Sequence, residues 1–190
     1  MKIYFTASVH SQTIDKKIYQ EIVKYLKSMG HTVMANHILD QTEEELDSKT
    51  HEERTKYYKT MSKTIANCDV VVCEASFPST ISIGHEVSVA LDKGKPIIAL
   101  YQPKKEPGVL EGINSERFML LEYTQKDLKE VLDYGMEGAV EQIDVRFNFF
   151  ISPKISKYLD KVSKETKTPR AVYLRNLIEE DMDSNDEYNG

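Results

Sequence analysis

The sequence lacks the features that mark several functional classes. Among its 190 residues there are only two cysteines, Cys68 and Cys73, which is no disulfide or zinc framework. They flank one apolar stretch and are expected to face opposite sides of it. No apolar run approaches the ~18 residues of a membrane span. The opening MKIYFTAS has the pattern of a first strand and not the long apolar stretch of a signal peptide, so a cytoplasmic protein is expected. There is no GxGxxG, no GxxxxGK[ST], and no His or Cys pair at metal-ligand spacing. No cofactor or metal is therefore expected. Internal repeats and low-complexity tracts are also missing.

Charge is distributed unevenly. The net charge is −6, which taken as a mean argues against nucleic acid. Residues 1–145 carry 17 basic and 23 acidic side chains, residues 146–178 carry 8 and 2, and residues 179–190 carry 6 acidic side chains and no basic ones. A basic block between two acidic ones points to a separate module.

Hydrophobic periodicity alternates between strand and helix. KIYFTA (2–7) reads as a strand. Ile14, Ile18, Ile22 and Leu26 recur every four residues before Met29-Gly30, which predicts an amphipathic helix with a glycine stop. Val33 and Met34 belong to a weak second strand. Residues 42–67 begin Thr-Glu-Glu-Glu and continue as one charged helix or a pair. DVVVCEA (69–75) is the near-continuous apolar run of a parallel strand covered on both faces. A helix is predicted near 83–93, a strand over 96–101, a short helix near 109–113, a strand over 117–122 and a helix over 125–134. This order predicts an α/β protein with a doubly wound parallel sheet, Rossmann-like or flavodoxin-like, over residues 1–134. Residues 135–144, with two glycines and little periodicity, read as a linker. Residues 145–183 form the small module, and 184–190 an acidic tail.

In open parallel sheets ligands bind beyond the carboxyl ends of the strands. Three loops there are polar. The first carries Ser8, His10 and Ser11, and the second Ser76, Ser79 and Thr80, then Gly84-His85-Glu86. The third carries Gln102, Lys104 and Lys105. Small hydroxyls and helix N-terminal amides at this edge suit a phosphate or a sugar, although such residues are also ordinary caps and turns. Glu86 falls in the predicted first turn of its helix, where the dipole alone favours an acid. Glu74 ends an apolar strand, where an unpaired carboxylate is costly. Asp69 reads as a strand-start residue in a turn.

The segments IYFTASV (3–9), CDVVVCEASFPS (68–79), IGHEVSVALDKGKPIIALY (83–101) and SERFMLLEY (115–123) together resemble the nucleoside 2-deoxyribosyltransferase superfamily. The likeness is strongest to its 2′-deoxynucleoside 5′-phosphate N-hydrolases. The resemblance implies a retaining glycosidic mechanism in which Glu86 attacks the anomeric carbon. It makes Tyr4 the hydrogen-bond partner of that nucleophile, and Ser8 and Ser79 ligands of a 5′-phosphate. Thr80, Gly84 and His10 lie beside these positions and join the substrate-binding candidates. Ser115 lies close to a phosphate serine that the family supplies from the neighbouring subunit, so a homodimer is implied. One position departs from the pattern. The family aspartate that assists proton transfer to the leaving base is replaced by Met61. Either Glu74 or His10 substitutes, or Glu52 or Glu53 comes closer, or activity is weak or lost.

RFNFFIS (146–152), PKISKYLDKVSKETK (153–167) and TPRAVYLRNLIEE (168–180) resemble a ribbon-helix-helix domain. That resemblance implies a strand paired across a dimer, with Arg146, Asn148 and Phe150 facing a major groove. Thr168 and Arg170 would hold a phosphate at a helix N-terminus. The plainer reading is a module that only dimerises. Together these readings predict hydrolysis of the N-glycosidic bond of a (2′-deoxy)nucleoside 5′-monophosphate. Base exchange by a deoxyribosyltransferase and a nucleotide-sensing DNA-binding regulator are the alternatives. The expected partners are a small nucleotide, a second copy of the chain, and DNA through the basic module, with no membrane.

Overall fold

The computed structural model describes residues 1–9, 12–143 and 150–184. It divides into two compact units, Met1–Asp144 and Val145–Gly190.

The first unit is built on a five-stranded sheet, all parallel, in the order β2-β1-β3-β4-β5. The strands are β1 (Lys2–Ala7), β2 (Thr32–Met34), β3 (Val70–Glu74), β4 (Ile97–Tyr101) and β5 (Phe118–Glu122). The helices are α1 (Gln12–Ser28), α2 (Asn36–Leu39), α3 (Glu43–Asp47), α4 (His51–Asn67), α5 (Ile81–Asp92) and α6 (Leu128–Glu141), with a 3₁₀ turn at Gly108–Gly112. This is the flavodoxin-like doubly wound arrangement, whose switch point lies between β1 and β3.

Strand alternation sorts the core into two layers. Ile3, Phe5, Val70, Val72, Ile98 and Leu100 pack with α1 and α6. Tyr4, Val71, Cys73, Ile97 and Ala99 pack with α4 and α5. The face a strand residue occupies therefore decides which helices it meets. Cys68 and Cys73 share the second layer, contrary to the opposite-side expectation. Cys68 is the C-cap of α4 and not a strand residue, so the period of two does not apply to it. Both thiols are free and buried. Asp69 accepts the Lys2 amide at 2.6 Å and ties the start of β3 to that of β1.

The charged stretch 42–67 forms two helices, each opened by a full capping box, Thr42 with Glu45 and Thr50 with Glu53. The proposed linker needs correction, because α6 continues through residue 141. Gly135 and Gly138 do not break this helix but bring it close to the sheet. A Cβ on Gly135 would lie 3.0 Å from Ile98 Cγ2, and one on Gly138 2.9 Å from Met119 Sδ.

The described part of the second unit is a helix pair, α7 (Pro153–Thr166) and α8 (Arg170–Asp183). Ser152 caps α7 by accepting the Ile155 amide, and Pro153 opens its first turn. The expected strand over 145–151, including Arg146 and Asn148, falls almost wholly outside the described residues. Among the described residues no helix is long and apolar enough to cross a membrane.

Candidate active site

Glu86 lies in the second turn of α5, because that helix begins at Ile81. The dipole of a first turn therefore does not explain it. Its side chain is on the buried face with Ile83, Val87 and Ala90, and Glu86 is only 3% exposed. A buried carboxylate needs partners, and β1 supplies two. Tyr4 and Thr6 are two residues apart, so both point toward α5. Tyr4 Oη donates to Glu86 Oε2 at 3.1 Å, and Thr6 adds a second side-chain hydrogen bond. Tyr57, from α4, supplies a third. Burial raises the Glu86 pKa above the ordinary carboxylate value, and the bonds from Thr6, Tyr4 and Tyr57 oppose that rise. Thr6 and Tyr57 were not singled out in the sequence. The period-two partner of Tyr4 marks Thr6, and the four-residue spacing Tyr57, Met61, Ile65 marks Tyr57.

Tyr4 and Tyr57 also line a cavity of about 880 Å³ under α2, α3 and α4, together with His37, Lys49 and Met61. Its size lies within the range of small-ligand sites. Glu86 is not itself a lining residue but is hydrogen-bonded to the two phenols that are. The His37 ring stacks on Tyr4, with centroids 4.7 Å apart and planes 15° apart. Burial pushes its pKa down to about 4, so the imidazole is neutral at physiological pH. Its Nε2 is buried without a hydrogen-bond partner. Lys49 Nζ sits 4.9 Å from the Tyr57 ring centroid. The residue at position 61 thus belongs to the cavity wall, and its methionine brings no proton.

The other candidates divide clearly. Ser8 follows β1 and is 3% exposed, with its Oγ buried and unpartnered. Ser79 and Thr80 follow β3 and lead into α5, at the carboxyl edge next to the end of β1. Thr80 is the N-cap residue but makes no side-chain cap bond. Gly84 has open space where a side chain would lie. His10 lies outside the described residues. Glu74 requires correction as a catalytic candidate. It shares strand parity with Val70 and Val72, on the layer covered by α1 and α6. There it accepts hydrogen bonds from Ser76 and from Tyr123 Oη, and Glu86 lies across the sheet. Glu53 lines the cavity, yet Thr50 binds its carboxylate and holds its pKa below the usual range. It is therefore a cap and a poor proton donor. Ser115 precedes β5, at the amino end of the sheet and opposite the edge that carries Ser79. In the second unit Arg170 is ion-paired with Asp160, and the N-cap of α8 is Pro169 and not Thr168. Among the described residues no group of three or more His, Cys, Asp or Glu side chains is placed to hold a metal ion.

A Nematostella vectensis protein provisionally named 2′-deoxynucleoside 5′-phosphate N-hydrolase 1 is 30% identical over 135 residues, covering 69% of this chain and 90% of that one. The chain belongs to the 2′-deoxynucleoside 5′-phosphate N-hydrolase family. Membership places it among N-glycosidase-like enzymes. A Rattus norvegicus 5-hydroxymethyl-dUMP N-hydrolase is 26% identical over 144 residues, 74% of this chain and 87% of its own length. The solved structure of a Clostridium botulinum CMP N-glycosidase matches the fold with a TM-score of 0.51 at 16% identity, over 70% of this chain and 98% of that one. No protein-family model matches the chain.

The raised pKa of Glu86 has a pH consequence. A nucleophilic Glu86 must be ionised, so kcat/KM falls as pH drops through its pKa. The acid limb is expected above the ordinary carboxylate range. Tyr4→Phe removes a bond that favours the charged form and is expected to move that limb further up. A pH profile of both proteins checks this, and an unmoved limb rejects Glu86 as the titrating group.

Proposed function

We propose that this protein hydrolyses the N-glycosidic bond of a 2′-deoxynucleoside 5′-monophosphate, with Glu86 as the nucleophile. The observation that carries this reading is the buried Glu86 carboxylate, gripped by Tyr4, Thr6 and Tyr57 beside a nucleotide-sized cavity. Three donors orient the carboxylate and oppose the effect of its burial. Attack on the anomeric carbon gives a glycosyl ester, and water then releases the sugar phosphate with retention. The unpartnered Ser8 hydroxyl, together with Ser79, Thr80 and the start of α5, suits the 5′-phosphate. Glu74 serves the fold, by joining β3 to Tyr123 and Ser76.

The test is release of free base from dUMP, dCMP, dAMP and dGMP, followed by chromatography. Adding a second free base separates hydrolysis from transfer, because only a transferase makes a new nucleoside. A nucleotide panel that is left intact rejects the reading.

We also infer that two copies of the chain pair. In the helix pair Leu159 is the buried hydrophobic residue, while Ile155, Tyr158, Leu177 and Ile178 are 42–61% exposed. So small an apolar interior does not sustain an independent module. The family resemblance assigns a serine near Ser115, which is remote from its own chain's site, to the phosphate edge of the neighbouring subunit, in keeping with a pair. Sedimentation is expected to give a dimer, and Leu159→Asp a weakened one. The basic character of residues 146–178 favours DNA as a ligand of the paired module. A gel shift that does not respond to salt removes that part of the reading.

A further inference from the structure

Position 61, where the family resemblance implies a proton-donating aspartate, carries a methionine in the cavity wall. We propose that Tyr57 is the acid–base catalyst of this enzyme and takes over that function one helical turn away. The inference rests on the N-glycosidase reading and assigns a step within it.

Geometry favours Tyr57 over the carboxylates that line the cavity, since Glu45 is tied to the Thr42 cap and Asp40 accepts from Asn36. Tyr57 and Met61 are four residues apart on α4, so they stand on the same helix face, one turn from each other. Both line the cavity, and the Tyr57 hydroxyl hydrogen-bonds Glu86. Of the cavity's other groups, Glu53 is tied to the Thr50 cap, and the neutral His37 imidazole has no spare proton beyond the one that any neutral ring retains. Lys49 is held by Gln41 Oε1 at 2.7 Å while its ammonium lies over the Tyr57 ring. A cation there steadies the negative charge that the ring carries once its proton has left.

The timing follows from the same contacts. Before reaction, burial and the Glu86 carboxylate keep the Tyr57 hydroxyl protonated. When Glu86 bonds to the anomeric carbon, the C–N bond breaks and its electron pair goes to the base. Glu86 is now a neutral ester, so the charge that held the Tyr57 proton has gone. The phenolic proton passes to the departing base and leaves a phenolate. That phenolate then takes a proton from the water that attacks the ester. The products are sugar phosphate and the free Glu86 carboxylate, with Tyr57 restored to its phenol. One residue thus acts first as acid and then as base, as a retaining mechanism requires.

The test compares wild type, Tyr57→Phe, Met61→Asp and the double variant on nucleotides whose bases differ in acidity, dUMP against 5-fluoro-dUMP and dGMP against 7-methyl-dGMP. Tyr57→Phe keeps the ring and the Lys49 contact. It is expected to lower kcat by about 10²–10⁴-fold on dUMP or dGMP. On the partner whose base leaves more readily, the loss should be at least tenfold smaller. The double variant, which returns a carboxyl group to position 61, should recover part of the loss. An equal loss on both members of a pair with no recovery overturns the proposal, because Tyr57 would then only position Glu86. A wild type that releases no base from any of the four nucleotides overturns the N-glycosidase reading itself.

Discussion

Glu86→Gln is expected to abolish base release, lowering kcat by on the order of 10⁴- to 10⁶-fold, as loss of a residue that forms a bond in the reaction does. The amide is close in size to the carboxyl and can still accept from Tyr4 and Thr6, so binding of the nucleotide should survive. Stability should move the other way. The folded-state pKa of Glu86 lies above its unfolded value, so the fold favours the protonated form. The wild type is then most stable below the unfolded pKa. It loses stability as pH rises through the folded one, and above that pH it carries the cost of a buried charge. The variant has no such charge, and its melting temperature at neutral pH should be at or above that of wild type, with a flatter pH dependence. Parallel loss of turnover, binding and stability would show that Glu86 holds the fold and does not perform the chemistry.

Gly135→Val is expected to destabilise the first unit markedly. A Cβ at this position meets Ile98 Cγ2 at 3.0 Å, Leu121 Cδ1 at 3.1 Å and Ile98 Cδ1 at 3.3 Å. Ile98 is fully buried in β4, so it cannot swing into solvent. Relief requires α6 to lift from the sheet, which opens the layer formed with Leu132, Met136 and Ala139. Overpacking of this kind costs about 1–3 kcal/mol, or about 2–12 °C in Tm for a chain of this size. Gly112→Val is the control, because a Cβ there meets nothing within 4 Å. Equal melting temperatures for the two variants would refute the close-approach account of Gly135.

Much of the fold was legible in the sequence, because its signals were periodic. The apolar runs at 69–75 and 96–101 need cover on both faces, and only a parallel sheet between helix layers provides that. Gly135 and Gly138 misled because a glycine is both a helix breaker and the residue that lets backbones approach, and sequence spacing does not separate the two. Glu74 misled for a related reason. Its parity with Val70 and Val72 was visible, but which helices cover that parity is a property of the assembled sheet. Tyr57 stayed hidden within a highly charged helix. Its four-residue relation to Met61 and Ile65 was present, but the number of polar neighbours obscured it. Glu86 was found through family resemblance. The sequence alone offered the helix dipole, and the true helix start at Ile81 removes that explanation.

The shared face of Tyr57 and Met61 bears on how relatives of this protein are compared. In an aligned column, methionine at position 61 registers as a lost function. On a helix, a neighbouring turn offers a second address for a proton donor, about 5.4 Å along the axis. Substitution can then proceed in two viable steps, with the new donor gained before the old one is given up. Comparing such proteins by helix face, and not by a single column, keeps both positions in view.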